Sequence, residues 1–179
     1  KLNTQLNAAM TFIDNSMYGI IKERREQKEV TKKDLLDLLM YTKDEETGHQ
    51  MSDLELKDEA VILFLAGHET SANALAFAIY EIEKHPEVKQ KLLDEINASF
   101  TDDELNMANL YGMPYLQQVI DEVLRMYPPA WVLGRRSIKE DELSGKKINA
   151  KQNVLVSAFS MHRDPRFWDN PNAFMPERF

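Results

Sequence analysis

Leu65-Ala66-Gly67-His68-Glu69-Thr70-Ser71-Ala72-Asn73, residues 65–73, places a histidine, a carboxylate and two hydroxyls inside an apolar run, with Val61 to Leu65 leading in and Ala74 to Ile79 following. A helix that is apolar all round is normally buried. Its polar groups are therefore expected to meet partners, a cavity or a ligand. Ser52 and Glu55 stand at capping-box spacing at the start of this pattern, and His85-Pro86 ends it. A helix over residues 52–84 would run about 45 Å at 1.5 Å per residue, enough to cross a domain.

Outward from that helix, Leu6, Met10, Ile13, Met17, Ile20 and Ile21 recur at helical spacing and predict an amphipathic helix near the start of the chain. Thr31 and Asp34 are spaced to cap a short helix ending at Tyr41, followed by a polar loop over residues 43–48. Pro86 suits the first turn of a helix to about Ala98, Thr101 with Glu104 signals another cap, and Pro114 opens a helix ending at Met126. After Tyr127-Pro128-Pro129 the texture changes. Val132-Leu133, Lys147-Ile148 and Val154-Leu155-Val156 read as short strands with a turn at Ser144-Gly145. Pro165, Pro171 and Pro176 with Phe167, Trp168, Phe174 and Phe179 predict an irregular coil held by buried rings. The expected fold is mainly α with a small β-sheet (α+β), as a single incomplete domain over residues 1–179: amphipathic helices and a loop in 1–51, the long helix in 52–84, further helices in 86–126, and the sheet and coil in 127–179.

With 43% hydrophobic and 29% charged residues the chain has the composition of a globular segment. The absence of cysteine excludes disulfides, thiolate nucleophiles and cysteine-bound metal within these residues. A net charge of −8 without a basic stripe argues against nucleic acid as a partner. The uninterrupted apolar run from Ala60 to Gly67 is shorter than the roughly 20 residues of a membrane span, so a soluble or cytoplasmic setting is the expectation, with an upstream anchor left open.

His68-Glu69 invites comparison with the zinc-binding H-E-x-x-H helix, but position 72 is Ala72 and the remaining histidines have no ligand spacing. Glu122 and Arg125 can pair at i, i+3, on a helix whose other face carries Leu116, Val119, Ile120, Val123 and Leu124. Taken alone, that pair reads as a surface contact worth about 0.5 kcal/mol.

Three blocks in order resemble the haem-thiolate monooxygenases of the cytochrome P-450 family. Ala66-Gly67-His68-Glu69-Thr70-Ser71 is similar to the family signature of its central helix. Glu122-Val123-Leu124-Arg125, with Tyr127-Pro128-Pro129 after it, is similar to the E-x-x-R helix, and Pro176-Glu177-Arg178-Phe179 resembles the P-E-R-F segment of the meander. The family's cysteine ligand follows shortly after that last segment and is absent from these residues.

The resemblance implies haem b against the central helix, dioxygen as co-substrate, an apolar small-molecule substrate that is hydroxylated, and a reductase or ferredoxin as electron donor. Thiolate ligation would favour O–O cleavage. Glu69 and Thr70 would then be the catalytic acid and alcohol, with Ala66, Gly67, Thr70 and Arg136 on the cofactor side. Arg135 is the rival for the propionate contact. Glu122, Arg125 and Arg178 would form a structural triad, and Ala66, Ala130, Trp131, Val132 and Leu133 would line the substrate pocket. On this reading no residue of the chain ligates the metal, and the chain alone is inactive. The alternative is a non-catalytic helical module that keeps the family scaffold for structure or interaction. Lys151 stands where the family commonly has glycine, which leaves the turn there open.

Overall fold

The computed structural model describes residues 2–26, 34–100 and 110–179. In chain order the elements are α1 (Leu2–Glu26), α2 (Leu35–Tyr41), α3 (Asp53–Lys84), α4 (Pro86–Ser99), α5 (Pro114–Met126), strands β1 (Val132–Arg136), β2 (Asp141–Leu143), β3 (Lys146–Ile148) and β4 (Asn153–Ser157), a single turn α6 (Ala158–Met161), and a 3₁₀ turn at Pro176–Arg178. Mainly helical architecture with a little antiparallel sheet is what the pattern predicts. Two compact units divide the chain, Lys1–Glu69 and Thr70–Phe179.

In the first unit, Ile21 of α1, Met40 of α2 and Leu56 of α3 form a buried cluster with Leu36, Leu39 and Met51 against it. Asp34 caps α2 by accepting the Asp37 amide, and Arg24 binds both Asp34 carboxylate oxygens at 2.9 Å. The Thr31 half of the expected cap lies outside the described residues, as does the Thr101–Glu104 cap. Ser52 and Glu55 make the reciprocal box at the start of α3: the Ser52 amide donates to Glu55 Oε2 at 2.8 Å, and the Glu55 amide donates to Ser52 Oγ at 3.3 Å. Of the predicted apolar stripe on α1 only Ile21 is fully buried, while Leu6 and Met10 remain more than half exposed.

The second unit has its core where α4 and α5 meet the C-terminal coil: Val88, Leu92, Val119, Val123, Met126 and Phe174, with Ala78 and Ile82 of α3 packed against it. Both α4 and α5 open on proline at the first turn, where the missing amide costs nothing. Glu95 of α4 caps α5, accepting the Tyr115 and Leu116 amides at 2.8 Å each. Two separate two-stranded antiparallel sheets follow, β1 with β4 and β2 with β3. Ser144 and Gly145 both take positive φ, 51° and 77°, and join β2 to β3 in the two-residue geometry that matches strand twist. β2 itself, Asp-Glu-Leu, escapes the sequence pattern because its three residues are all exposed.

Two expectations need correction. The middle of α3 is exposed from Ile62 to Asn73, not enclosed, although α1 borders Val61, Phe64 and Leu65. By length and composition α3 is also long and apolar enough to cross a membrane, with an 18-residue window of mean hydropathy 1.3. Counting only the unbroken run to Gly67 missed this, since a long helix tolerates scattered polar residues, and a core helix of a soluble fold meets the same test. The coil rings also divide: Phe174 is buried, whereas Phe167 and Phe179 are exposed.

Candidate functional site

Glu122 and Arg125 lie on the buried face of α5, 0% and 2% exposed, while Ile120 and Leu124 of the supposed apolar face are exposed at 39% and 38%. The assignment of faces on α5 is thus partly inverted. Burial is tolerable because the pair is bidentate, with Arg125 Nε donating to Glu122 Oε2 at 2.6 Å and Nη2 to Oε1 at 2.9 Å. The remaining guanidinium hydrogens reach carbonyls of the coil: Nη1 donates to His162 at 2.7 Å and Pro171 at 2.9 Å, and Nη2 to Ala173 at 3.3 Å.

Arg178 completes the group. Its Nε donates to Glu122 Oε1 at 3.1 Å, which also accepts the Met175 amide at 2.8 Å, and its Nη1 donates to the Asp169 carbonyl at 2.8 Å. The three residues singled out in sequence therefore meet around one carboxylate. Trp168 covers the guanidinium of Arg125, 5.2 Å from ring centroid to carbon. His162 Nδ1 lies 3.1 Å from the Arg125 carbonyl, an atom that can only accept, so Nδ1 carries the hydrogen. Within the 3₁₀ turn, Glu177 accepts from Lys91 of α4 at 2.5 Å and from the Tyr115 hydroxyl at 3.2 Å. The Lys91 ammonium holds the Glu177 carboxyl below the usual range.

On α3, Ala66, Gly67, Glu69 and Thr70 occupy one exposed turn and the residues just beyond it. A Cβ added at Gly67 would meet nothing within 4 Å, so the helix backbone there borders open space. His68 lies over Phe64, with ring centroids 6.0 Å apart. Small residues here stand beside a carboxylate and a hydroxyl on an exposed stretch of helix.

Arg135 and Arg136 are consecutive on β1 and so point to opposite faces. Arg136 Nε donates to the Lys151 carbonyl at 3.1 Å, and Arg135 Nη1 to the Gly134 carbonyl at 2.9 Å. Each guanidinium keeps further donors for a carboxylate, and both residues are exposed. Ala130, Trp131 and Leu133 are exposed and Val132 is half-buried, so this segment presents side chains outward and is not packed into the core.

A second polar cluster escaped the sequence reading. Glu81 of α3, 1% exposed, accepts a short hydrogen bond from the Tyr127 hydroxyl, and its other oxygen lies 3.4 Å from His85 Nδ1. Burial, then the bond to Glu81, pushes the Tyr127 phenol up to about 12. The available signal was a carboxylate on the stripe of α3 that carries Ala78 and Ile82 into the core.

The Cytochrome P450 family profile matches residues 1–179. Cytochrome P450 3A12 of Canis lupus familiaris is 38% identical over 94% of this chain and 34% of its own length. Cyclooctatin synthase of Streptomyces melanosporofaciens is 30% identical over 99% of this chain and 39% of its own. Among solved structures, a retinoic acid-bound cyanobacterial CYP120A1 superposes with a TM-score of 0.91 at 31% identity, covering 97% of this chain and 39% of that one. The chain thus spans a little over a third of the length of these relatives. With a profile match along its whole length and the buried Glu122–Arg125–Arg178 group in place, this chain belongs to the cytochrome P450 family.

Proposed function

We propose that this chain is part of one incomplete domain of a haem-thiolate monooxygenase that hydroxylates an apolar organic substrate. The observation that carries this reading is the Ala66-Gly67-His68-Glu69-Thr70-Ser71 block on α3, in a chain whose whole length matches the family. The family resemblance would put haem against that helix, and the unused donors of Arg136 or Arg135 would suit a propionate. When bound, haem supplies the activation of dioxygen. Glu69 acts as the proton source from solvent. Thr70 holds a hydroxyl at the dioxygen side and passes a proton on by exchanging donor and acceptor roles. Gly67 keeps the backbone clear of that space.

Glu122, Arg125 and Arg178 act structurally, fixing the meander against α5 and touching no reactant. By the family resemblance Ala66, Ala130, Trp131, Val132 and Leu133 line the substrate side, and a reductase or ferredoxin delivers electrons. With no cysteine, these residues contain no thiolate ligand, and the chain alone is inactive.

The test uses the full gene product loaded with haem. The reduced carbon monoxide complex should give the red-shifted Soret band of thiolate ligation. Thr70→Ala should keep that band while diverting reducing equivalents from product to hydrogen peroxide. An unshifted band, or unchanged coupling in Thr70→Ala, overturns the respective half of the proposal.

A further inference from the structure

Thr70, Phe77 and Glu81 lie on one stripe of α3. Phe77 and Glu81 follow Thr70 by seven and eleven residues, which at about 100° per residue brings each back to within about 20° of it. One residue, Tyr127 at the C-terminal end of α5, holds that stripe twice. Its ring stacks flat on Phe77, with centroids 4.1 Å apart and planes 3° from parallel. Its hydroxyl donates a short hydrogen bond to Oε1 of the almost fully buried Glu81. The ion pairs of the other oxygen are local, to Lys84 Nζ at 3.9 Å and His85 Nδ1 at 3.4 Å. Among the described residues, Tyr127 is thus the partner that ties this carboxylate to α5.

Side-chain packing leaves part of this length of α3 unsupported. Between Ser71, Ala74 and Leu75 of α3 and Ile120 and Leu124 of α5 lies an open apolar cleft of about 310 Å³. Further along, Ala78 and Ile82 pack against the core, but apolar burial has no preferred direction. A hydrogen bond and a stacked ring do have one. Tyr127 is itself fixed, its amide donating to the Val123 carbonyl at 2.7 Å where α5 ends.

Building on the monooxygenase reading of Thr70, we propose that Tyr127 is a positioning residue: by holding Phe77 and Glu81 it fixes the rotation of α3 about its axis, and with it the direction of the Thr70 hydroxyl. At the roughly 6 Å radius of a helix with its side chains, a rotation of about 10° moves that hydroxyl by about 1 Å. A displacement of this size costs on the order of 100-fold in rate when it spoils a reacting geometry. Tyr127 acts through the helix, from about two to three turns away.

The test uses the full gene product loaded with haem and compares it with Tyr127→Phe, which keeps the ring and loses the hydroxyl. Hydrogen exchange reads the clamp without activity: amides of residues 71–84 should exchange several-fold faster in Tyr127→Phe, while those of residues 114–122 stay unchanged. The Soret band of the reduced carbon monoxide complex should keep its position, while product formed per reducing equivalent falls on the order of tenfold. Glu81→Gln, whose amide oxygen still accepts, should retain both exchange and coupling, and Glu81→Leu should reproduce Tyr127→Phe. In a Thr70→Ala background, Tyr127→Phe should lower coupling no further. Tyr115→Phe, which removes a phenol–carboxylate bond to Glu177 rather than to α3, should change neither readout. Unchanged exchange over residues 71–84, unchanged coupling in folded Tyr127→Phe, or a further loss in the double variant overturns the positioning role. Normal coupling in Thr70→Ala overturns the reading of Thr70 instead, and the exchange result then still decides the clamp.

Discussion

Replacing Arg125 by alanine removes the donor that satisfies both oxygens of a fully buried carboxylate and three coil carbonyls, those of His162, Pro171 and Ala173. Glu122 would keep only Arg178 and the Met175 amide. Breaking a buried pair by removing one partner costs about 3 to 5 kcal/mol. Some of that is recovered if water reaches the carbonyls in the vacated space, since an unsatisfied buried acceptor costs roughly 1 to 3 kcal/mol. Against a total stability of about 5 to 15 kcal/mol the loss is large.

Urea unfolding followed by Trp168 fluorescence should show an earlier midpoint for Arg125→Ala with little change in slope. Arg125→Lys should fall between, because an ammonium keeps the charge and loses the planar fork. The combined Glu122→Leu, Arg125→Met variant should recover only part of the loss, since the Arg178 Nε, the Met175 amide and the His162 and Pro171 carbonyls lose their partners. A cost for Arg125→Ala below about 1 kcal/mol, the value of an exposed pair, would refute the claim that burial makes this group structural.

Lys151 adopts φ of 63°, a conformation that favours glycine, while its amide donates to Ser137 at 2.9 Å and its carbonyl accepts from Arg136. Lys151→Gly keeps both bonds and relieves about 1 kcal/mol of backbone strain, so the thermal midpoint should rise by a few degrees, as calorimetry can check. The Asp164 carboxyl is held down at about 2, first by hydrogen bonds from the Arg166 side chain and then from its amide. A depressed carboxylate contributes stability above its unfolded value that is lost as pH falls through the folded one. The contribution of Asp164 should therefore disappear on going from about pH 4 to pH 2. An NMR titration should place Asp164 near 2, and Arg166→Ala should return it toward the ordinary carboxylate value.

Local signals were sufficient for the helices. The Ser52–Glu55 box, the prolines at 86 and 114, and the break at His85-Pro86 act through neighbours a few residues away, so they read directly from the sequence and recur in the structure. Ser144-Gly145 is legible for the same reason: two adjacent positive φ values suit a tight turn. The three-residue strand β2 is not, because a fully exposed strand carries no hydrophobic alternation.

What tertiary structure decided is which charges are inside. Glu122 and Arg125 read as a pair from their i, i+3 spacing, but the carbonyls that make their burial affordable come from residues 37 to 48 positions away. No local pattern encodes those. Likewise Glu81 and Tyr127 are 46 residues apart and become partners only where the end of α5 meets the last turns of α3. Sequence alone set the identity of the helices and the motif order, because turns and caps are short-range; placing the polar groups required long-range packing, because burial is a property of what surrounds a residue.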